Sequence, residues 1–358
     1  MKKSLFQSKG RFYKANLHTH SSVSDGALTP EEVKEAYKSY GYDIVAYSDH
    51  EVLVPHDDLR DDSFLPLTAI ECEFSEVFRA FRDPVTGEEI KAPDYIRKRK
   101  VYHFVYIAPR PDETYYPWPT KSYVWGNAKN FIQDYYVGEK SRAFTFSNVN
   151  AAIRDAKEHG FLVAYCHPFW SQNRYEDYSG LENLDFVETY NSACETDGYV
   201  LDKSERPFDD ILSLGKRVFP ACSDDAHRPA HIGRGATYVK ADSLSYEDVF
   251  RSLKAGDVFA STGPVFKDIT FDPETKILSV ESSPGGLIAL TMNIRYAQKQ
   301  GDLREGEVTN ADFDLSAVIE NVCKYGVPED VFARITLIGK DGNRAYSRGF
   351  FISELAAL

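Results

Sequence analysis

The chain has 358 residues, with 42 Lys+Arg against 55 Asp+Glu, a formal net charge of −13 and 42% hydrophobic residues. This balance excludes a disordered or low-complexity chain, and so acidic a surface supplies no phosphate-neutralising field for a nucleic acid polymer. No apolar run approaches the ~20 residues of a membrane span. Met1-Lys2-Lys3 is not followed by the apolar segment of a secretory signal. The expectation is a cytoplasmic protein without a membrane partner, a periplasmic or secreted one staying open if a leader has been removed.

In chain order, the first two thirds alternate strand and helix. Thr29-Pro30-Glu31-Glu32 reads as a helix start, with Thr29 as N-cap and Glu32 closing a capping box. Val33, Ala36, Tyr37 and Tyr40 continue at helical spacing to a stop at Gly41. A strand over residues 43–47 ends at Ser48-Asp49-His50. Later, a helix marked by Val149, Ala152, Ile153 and Ala156 stops at Gly160, and a strand over 161–165 ends at Cys166-His167-Pro168. Residues 185–188 lead to Thr189-Tyr190-Asn191, and residues 217–221 open into Cys222-Ser223-Asp224-Asp225-Ala226-His227. Repeated βα units predict a parallel sheet or a barrel, with chemistry at the carboxyl ends of the strands.

Two segments break this rhythm. Residues from about 75 to 146 are too long for a connection and mark an insertion. It carries Tyr115, Tyr116, Trp118, Tyr123, Trp125, Phe131, Tyr135 and Tyr136. From residue 263 to 358, short alternating runs separated by turn signals predict a small β-rich, sandwich-like domain attached to a first domain over 1–262. The five cysteines (Cys72, Cys166, Cys194, Cys222, Cys323) form no CxxC pair and no disulfide framework, which points to a reducing compartment. Cys72, Cys166 and Cys222 read as small buried apolar side chains.

Most histidines fall at candidate strand ends: His18-x-His20, Asp49-His50, His103, His167 and Asp225-x-His227-x-x-x-His231, accompanied by Asp25 and Glu71-x-Glu73. Residues at i and i+2 on a strand share a face, so His18 with His20, and Asp225 with His227, can each grip one ion, whereas Asp224 points away. Mixed His and carboxylate donors suit Zn, Mn or Fe. A lone His103 would read as a hydrogen-bonded core residue, and His56 and His159 read as surface. Together, ionisable groups converging in a core are costly without a cation to compensate them.

Asn16-Leu17-His18-Thr19-His20-Ser21, Ser24-Asp25-Gly26, Ser48-Asp49-His50, Cys166-His167-Pro168 and Ser223-Asp224-Asp225-Ala226-His227 resemble the signature motifs of the PHP (polymerase and histidinol phosphatase) superfamily over roughly residues 12–262. Leu253-Lys254-Ala255-Gly256 and Ser261-Thr262-Gly263-Pro264, with the β-rich tail, are similar to its CehA/McbA branch. The resemblance implies an α/β fold, a distorted (β/α)7 barrel of PHP type with a small C-terminal β-sandwich-like domain, holding two or three divalent ions at its mouth. By the same likeness the first ion takes His18, His20, Glu71 and Asp225. Glu71 bridges to a second on His103 and His167, and a third uses Asp25, His50 and His227. Glu73 shares a face with Glu71 and is the alternative bridge. Many members carry His where Asp25 stands.

Such a centre acidifies a bridging water to hydroxide and neutralises charge on the transferring group. Asp225 is then placed to orient that water, and His231 is a general acid or simply a satisfied polar residue. Arg228 and Arg234 follow the last motif and suit the oxygens of a phosphate, with Asn191 as a further substrate contact. The expected activity is metal-dependent phosphoester hydrolysis on a small phosphorylated molecule. Hydrolysis of a carbamate or carboxyl ester is the alternative enzyme reading, favoured by an aromatic pocket without Arg at the metals. A non-catalytic metal-binding scaffold or binding module is the alternative of another class. The oligomeric state is not legible.

Overall fold

The computed structural model describes residues 2–77, 81–82, 85–86, 89–90, 98–133, 138–199 and 205–358; Tyr135 and Tyr136 lie outside the described residues. Its strands are β1 (Lys3–Ser4), β2 (Arg11–Asn16), β3 (Ile44–Tyr47), β4 (Leu65–Val77), β5 (Phe81–Arg82), β6 (Glu89–Ile90) and β7 (Lys98–Ile107). There follow β8 (Leu162–Tyr165), β9 (Phe186–Asn191), β10 (Phe219–Ser223), β11 (Ala236–Ala241), β12 (Val258–Ser261), β13 (Phe266–Asp272) and β14 (Ile277–Gly285). The last are β15 (Leu287–Met292), β16 (Ala297–Gly301), β17 (Val308–Asp314), β18 (Phe332–Ile338), β19 (Arg344–Ser347) and β20 (Phe350–Phe351).

The N-terminal helix Pro30–Ser39 starts as its sequence requires, Thr29 and Glu32 forming the capping box. The helix Phe146–Glu158, capped by Thr145, buries Val149, Ala152, Ile153 and Ala156 against the sheet. Every residue of β3 and β8 is buried, which is why these strands are continuous apolar runs rather than alternating ones.

The largest sheet has fourteen strands in the order β10-β9-β8-β7-β4-β3-β2-β11-β12-β19-β18-β15-β16, with β20 on β18. β2, β3 and β4 are parallel, as are β8, β9 and β10. The sheet is nonetheless mixed, because β7 is antiparallel to both β4 and β8, and β11 to both β2 and β12. β4 and β7 pair along much of their length, from Ala69 opposite Ile107 to Ser75 opposite Val101. Residues 98–107 thus belong to the central sheet, although the sequence rhythm places them inside the insertion. β10 and β11 meet through one side chain: Thr237 Oγ1 accepts from the Cys222 N–H and donates to the Cys222 carbonyl, both at 3.2 Å.

The C-terminal strands do not stand apart from this sheet, since β19 pairs directly with β12. A second, four-stranded antiparallel sheet, β1-β13-β14-β17, packs Ile269, Phe271, Leu278 and Val280 against Ile288, Leu290, Ile335 and Leu337 of the first. Among the described residues no helix is long and apolar enough to cross a membrane.

Candidate metal centre

His18 and His20 leave the end of β2 on one side, both buried, with their Nε2 atoms 3.2 Å apart. The segment after β10 runs alongside them: the Asp225 N–H donates to the His18 carbonyl (2.9 Å) and the His20 N–H to the Ala226 carbonyl (3.1 Å). This backbone pairing brings residues two hundred positions apart into one cluster. Asp225 has φ +49° and His167 φ +27°, left-handed values that a non-glycine residue holds only under constraint, and both side chains turn into the cluster. Asp225 Oδ1 lies 3.0 Å from His20 Nε2 and 3.1 Å from His18 Nε2.

Glu71 is the hub. Its Oε1 is 2.8 Å from His103 Nδ1, 3.3 Å from His18 Nε2 and 3.4 Å from His167 Nε2. Its Oε2 is 3.0 Å from His50 Nδ1 and 3.3 Å from His20 Nε2. Glu73, opposite His103 in the β4–β7 register, meets His103 Nε2 (3.3 Å) and Ser75. Asp25 faces His227 Nε2 at 3.4 Å, His20 Nδ1 at 3.7 Å and His50 Nε2 at 3.8 Å. The donors thus fall into the sets His18/His20/Glu71/Asp225, Glu71/His103/His167 and His20/Asp25/His50/His227, each with its ligand atoms within 4.8 Å of one another.

The donor set fits divalent cations on an observation independent of its composition. His20 Nδ1 and Glu71 Oε2 are buried without a hydrogen-bond partner, although His50 and His20 nitrogens stand within 3.3 Å of that oxygen. Buried polar atoms left unpaired are costly, so their convergence marks a place for a charged guest. The local electrostatics agree. Burial opposes protonation of His20 and His103, yet Asp225 with Glu71, and Glu71 with Glu73, raise them to about 10. Against burial, the surrounding imidazoles hold Glu71 and Asp225 well below the carboxylate range, and Asp25 is lowered too. His50 is pushed down to about 3, by burial first and then by His20. The field that favours protonated imidazoles here would equally favour a cation among them.

Supporting groups fix the ligands. Glu188, which sequence reasoning treats only as part of a strand, has Oε1 2.9 Å from His18 Nδ1 and accepts the His167 N–H at 2.8 Å. Its only sequence signal is a carboxylate inside a wholly buried strand. Cys166 joins His18 and Glu188 in this layer. Asp49 accepts the Ser21 and Ser24 N–H groups and both hydroxyls, shaping the loop that carries Asp25. There Gly26 leaves no room for a Cβ, which would stand 2.6 Å from the His20 carbonyl oxygen. Asp224, just beyond the end of β10, points away from the cluster, accepting the N–H groups of Gly233, Arg234 and Gly235; burial, opposed by these bonds, raises it to about 6.

The cluster opens into a cavity of about 860 Å³. Arg228 and His231 line it; Asn191 and Arg234 do not. The Asn191 amide donates to Glu188 and to Asp225 (3.2 Å) and accepts the Cys194 N–H that starts the next helix. The Arg234 side chain is exposed, and its backbone caps Asp224. Arg228 is paired with Asp197, and its Nε is 2.8 Å from His231 Nε2. His231 is lowered by burial and by Arg228 and His227, with Asp197 opposing. The His227 N–H meets its Nδ1 at 3.2 Å, so the ring is held between that group and Arg228. His56, expected at the surface, is half-buried against Tyr47.

The sequence model of a family described as PHP-associated matches residues 222–258, which include Asp225 and His227. No curated protein matches. Among solved structures, a two-domain protein from Bacteroides vulgatus containing a predicted PHP-like metal-dependent phosphoesterase is 14% identical, covering 95% of this chain and 96% of its own, with TM-score 0.40. A lesion-specific endonuclease from Pyrococcus furiosus is 16% identical over 68% of this chain and 56% of its own (TM-score 0.37). An amidohydrolase from Chromobacterium violaceum with bound sulfate is 12% identical over 68% and 96% (TM-score 0.37). Overlaps this loose assign neither a reaction nor a substrate.

Proposed function

We propose that the chain is a PHP-type metal-dependent hydrolase, its β2–β11 portion an incompletely closed barrel, acting on a phosphoester of a small molecule. The observation that carries this reading is Glu71 set among five imidazoles with a buried oxygen left unpaired. The motif resemblance and the family match over 222–258 support it. His18, His20, Glu71 and Asp225 would hold one cation, Glu71, His103 and His167 a second, and Asp25, His50 and His227 a third. Bound there, divalent ions would act as Lewis acids that acidify water and offset charge on the group transferred. Asp225, steadied by Asn191, orients the attacking water, and Arg228 at the rim meets the anionic end of the substrate.

One observation favours a second reading, hydrolysis of an aryl carbamate or carboxyl ester. Arg228 is the only Arg or Lys lining the cavity among the described residues, and it is already paired with Asp197. The walls are aromatic: Trp125 stands 5.7 Å from the His50 ring, and Trp170 5.0 Å from His167. A screen of p-nitrophenyl phosphate, bis-p-nitrophenyl phosphate, p-nitrophenyl acetate and an aryl carbamate with Mn²⁺ or Zn²⁺ decides between them. Turnover of the phosphate esters alone supports the first reading, and turnover of the acetate or carbamate alone supports the second. Full activity after exhaustive chelation would refute both.

A further inference from the structure

We propose that Arg142 and Glu51 form a latch that fixes the 118–123 segment beside the metal centre and sets the places of His50 and Glu71; the proposal rests on the hydrolase reading above. Both side chains are buried, Arg142 exposing 4% and Glu51 2% of their surface. Arg142 Nη2 donates to Glu51 Oε2 at 2.6 Å and Nη1 to Oε1 at 3.3 Å, a fork that only a guanidinium makes. The same side chain donates to Thr120 Oγ1 (2.8 Å), the Glu73 carbonyl (3.0 Å) and the Trp118 carbonyl (3.3 Å). Its guanidinium lies between the rings of Phe74, 5.0 Å away, and Tyr123, 5.4 Å away. One residue of the insertion therefore ties together β4, the segment after β3 and the loop that leads to Trp125.

Glu51 transmits this hold to the ligands. It follows His50 in the chain, its N–H donates to the Glu71 carbonyl (2.9 Å), and its carboxylate accepts the Glu73 N–H (2.9 Å). Its φ is +59°, a conformation a glutamate keeps only where its surroundings hold it. Without the guanidinium, the Glu51 carboxylate would be a buried anion beside Glu71 and Glu73, and the strained segment carrying His50 would be free to relax. Both latch residues act through His50 and Glu71, so they are positioning residues.

The test compares wild type, Arg142→Met and Arg142→Lys. Each is titrated with Co²⁺ by visible absorption, melted without metal, and assayed with p-nitrophenyl phosphate. Partners of ligands typically change metal affinity or activity about 10–100-fold. Arg142→Met is expected to weaken Co²⁺ binding by that factor and to lower kcat more than it raises KM. Arg142→Lys keeps the buried charge but not the fork; it is expected to melt near wild type while still binding Co²⁺ at least about tenfold more weakly. If Arg142→Met fails to fold, the lysine variant carries the test. Co²⁺ affinity and absorption in the folded variants within twofold of wild type would overturn the latch alone. Wild type that takes up no Co²⁺ would overturn the metal-centre reading itself, and the latch with it.

Discussion

Replacing Glu71 by Gln keeps the side chain's shape and removes its charge from the middle of five imidazoles. The nearest nitrogens stand at 2.8–3.4 Å. At an effective dielectric of ~20, one unit of charge at 3.3 Å is worth about 5 kcal/mol, more than three decades in a binding constant. Desolvation is common to both proteins, so most of that difference should survive as a loss of roughly three decades in Mn²⁺ affinity. Calorimetric titration of the two proteins, with circular dichroism to confirm an unchanged fold, measures it. Glu73→Gln is the control, because Glu73 reaches only His103 among the cluster's histidines, and it should cost less than tenfold. If Glu71→Gln binds Mn²⁺ within tenfold of wild type, or if Glu73→Gln is the more damaged, Glu71 is not the hub and the three-set arrangement fails.

Without metal, His20 and His103 hold protons at pH 7, so binding a cation should release at least those two; titration in buffers of different ionisation enthalpy counts them, and a buffer-independent heat would contradict the assignment. Stability from these raised histidines is fully present below the ordinary imidazole pKa of about 6.5 and is lost as pH rises through about 10, so the melting temperature of metal-free protein should fall over that interval. Arg228→Ala should raise KM for p-nitrophenyl phosphate by roughly tenfold or more, the worth of a charged hydrogen bond. Arg234→Ala should leave it within about twofold, and equal effects would show that the cavity rim is misread. Glu188→Gln should lower metal affinity by about 10–100-fold through a loosened His18, and an unchanged titration would reduce Glu188 to packing.

The ligands are legible where the code is local. His18 and His20 share a face by simple alternation, and strand-end placement picks out His50 and His167. Asp225 and His227 do share the cluster, but β10 stops at Ser223; a left-handed turn at Asp225, not strand parity, aims the side chain. The choice between Glu71 and Glu73 needs the third dimension, because both lie on one face and only the neighbouring strands decide which meets the histidines. Arg234 shows the opposite failure. It is close in sequence to His227, yet Gly233 at φ +96° turns the chain and leaves its side chain outside the cavity. Glu188, Asp49 and Arg142 act through partners 21 to 170 positions away in the chain, and no spacing rule reports such pairs. The mixed sheet is hidden for a similar reason: strand direction depends on what joins two strands, and in sequence the 75–146 stretch reads only as an excursion.

The first strand carries a consequence for anyone hoping to handle the metal-centre portion by itself. β1 pairs with β13, Leu5 and Phe6 are buried among side chains from the far end of the chain, and β12 lends its outer edge to β19. Cutting after residue 262 would strip the shelter from those two side chains. It would also bare a row of unsatisfied amides and carbonyls, the kind of naked border on which strands from other molecules stack and precipitate. The tail thus serves the first 262 residues as a selvedge serves cloth, and trimming it should cost solubility before it costs metal binding.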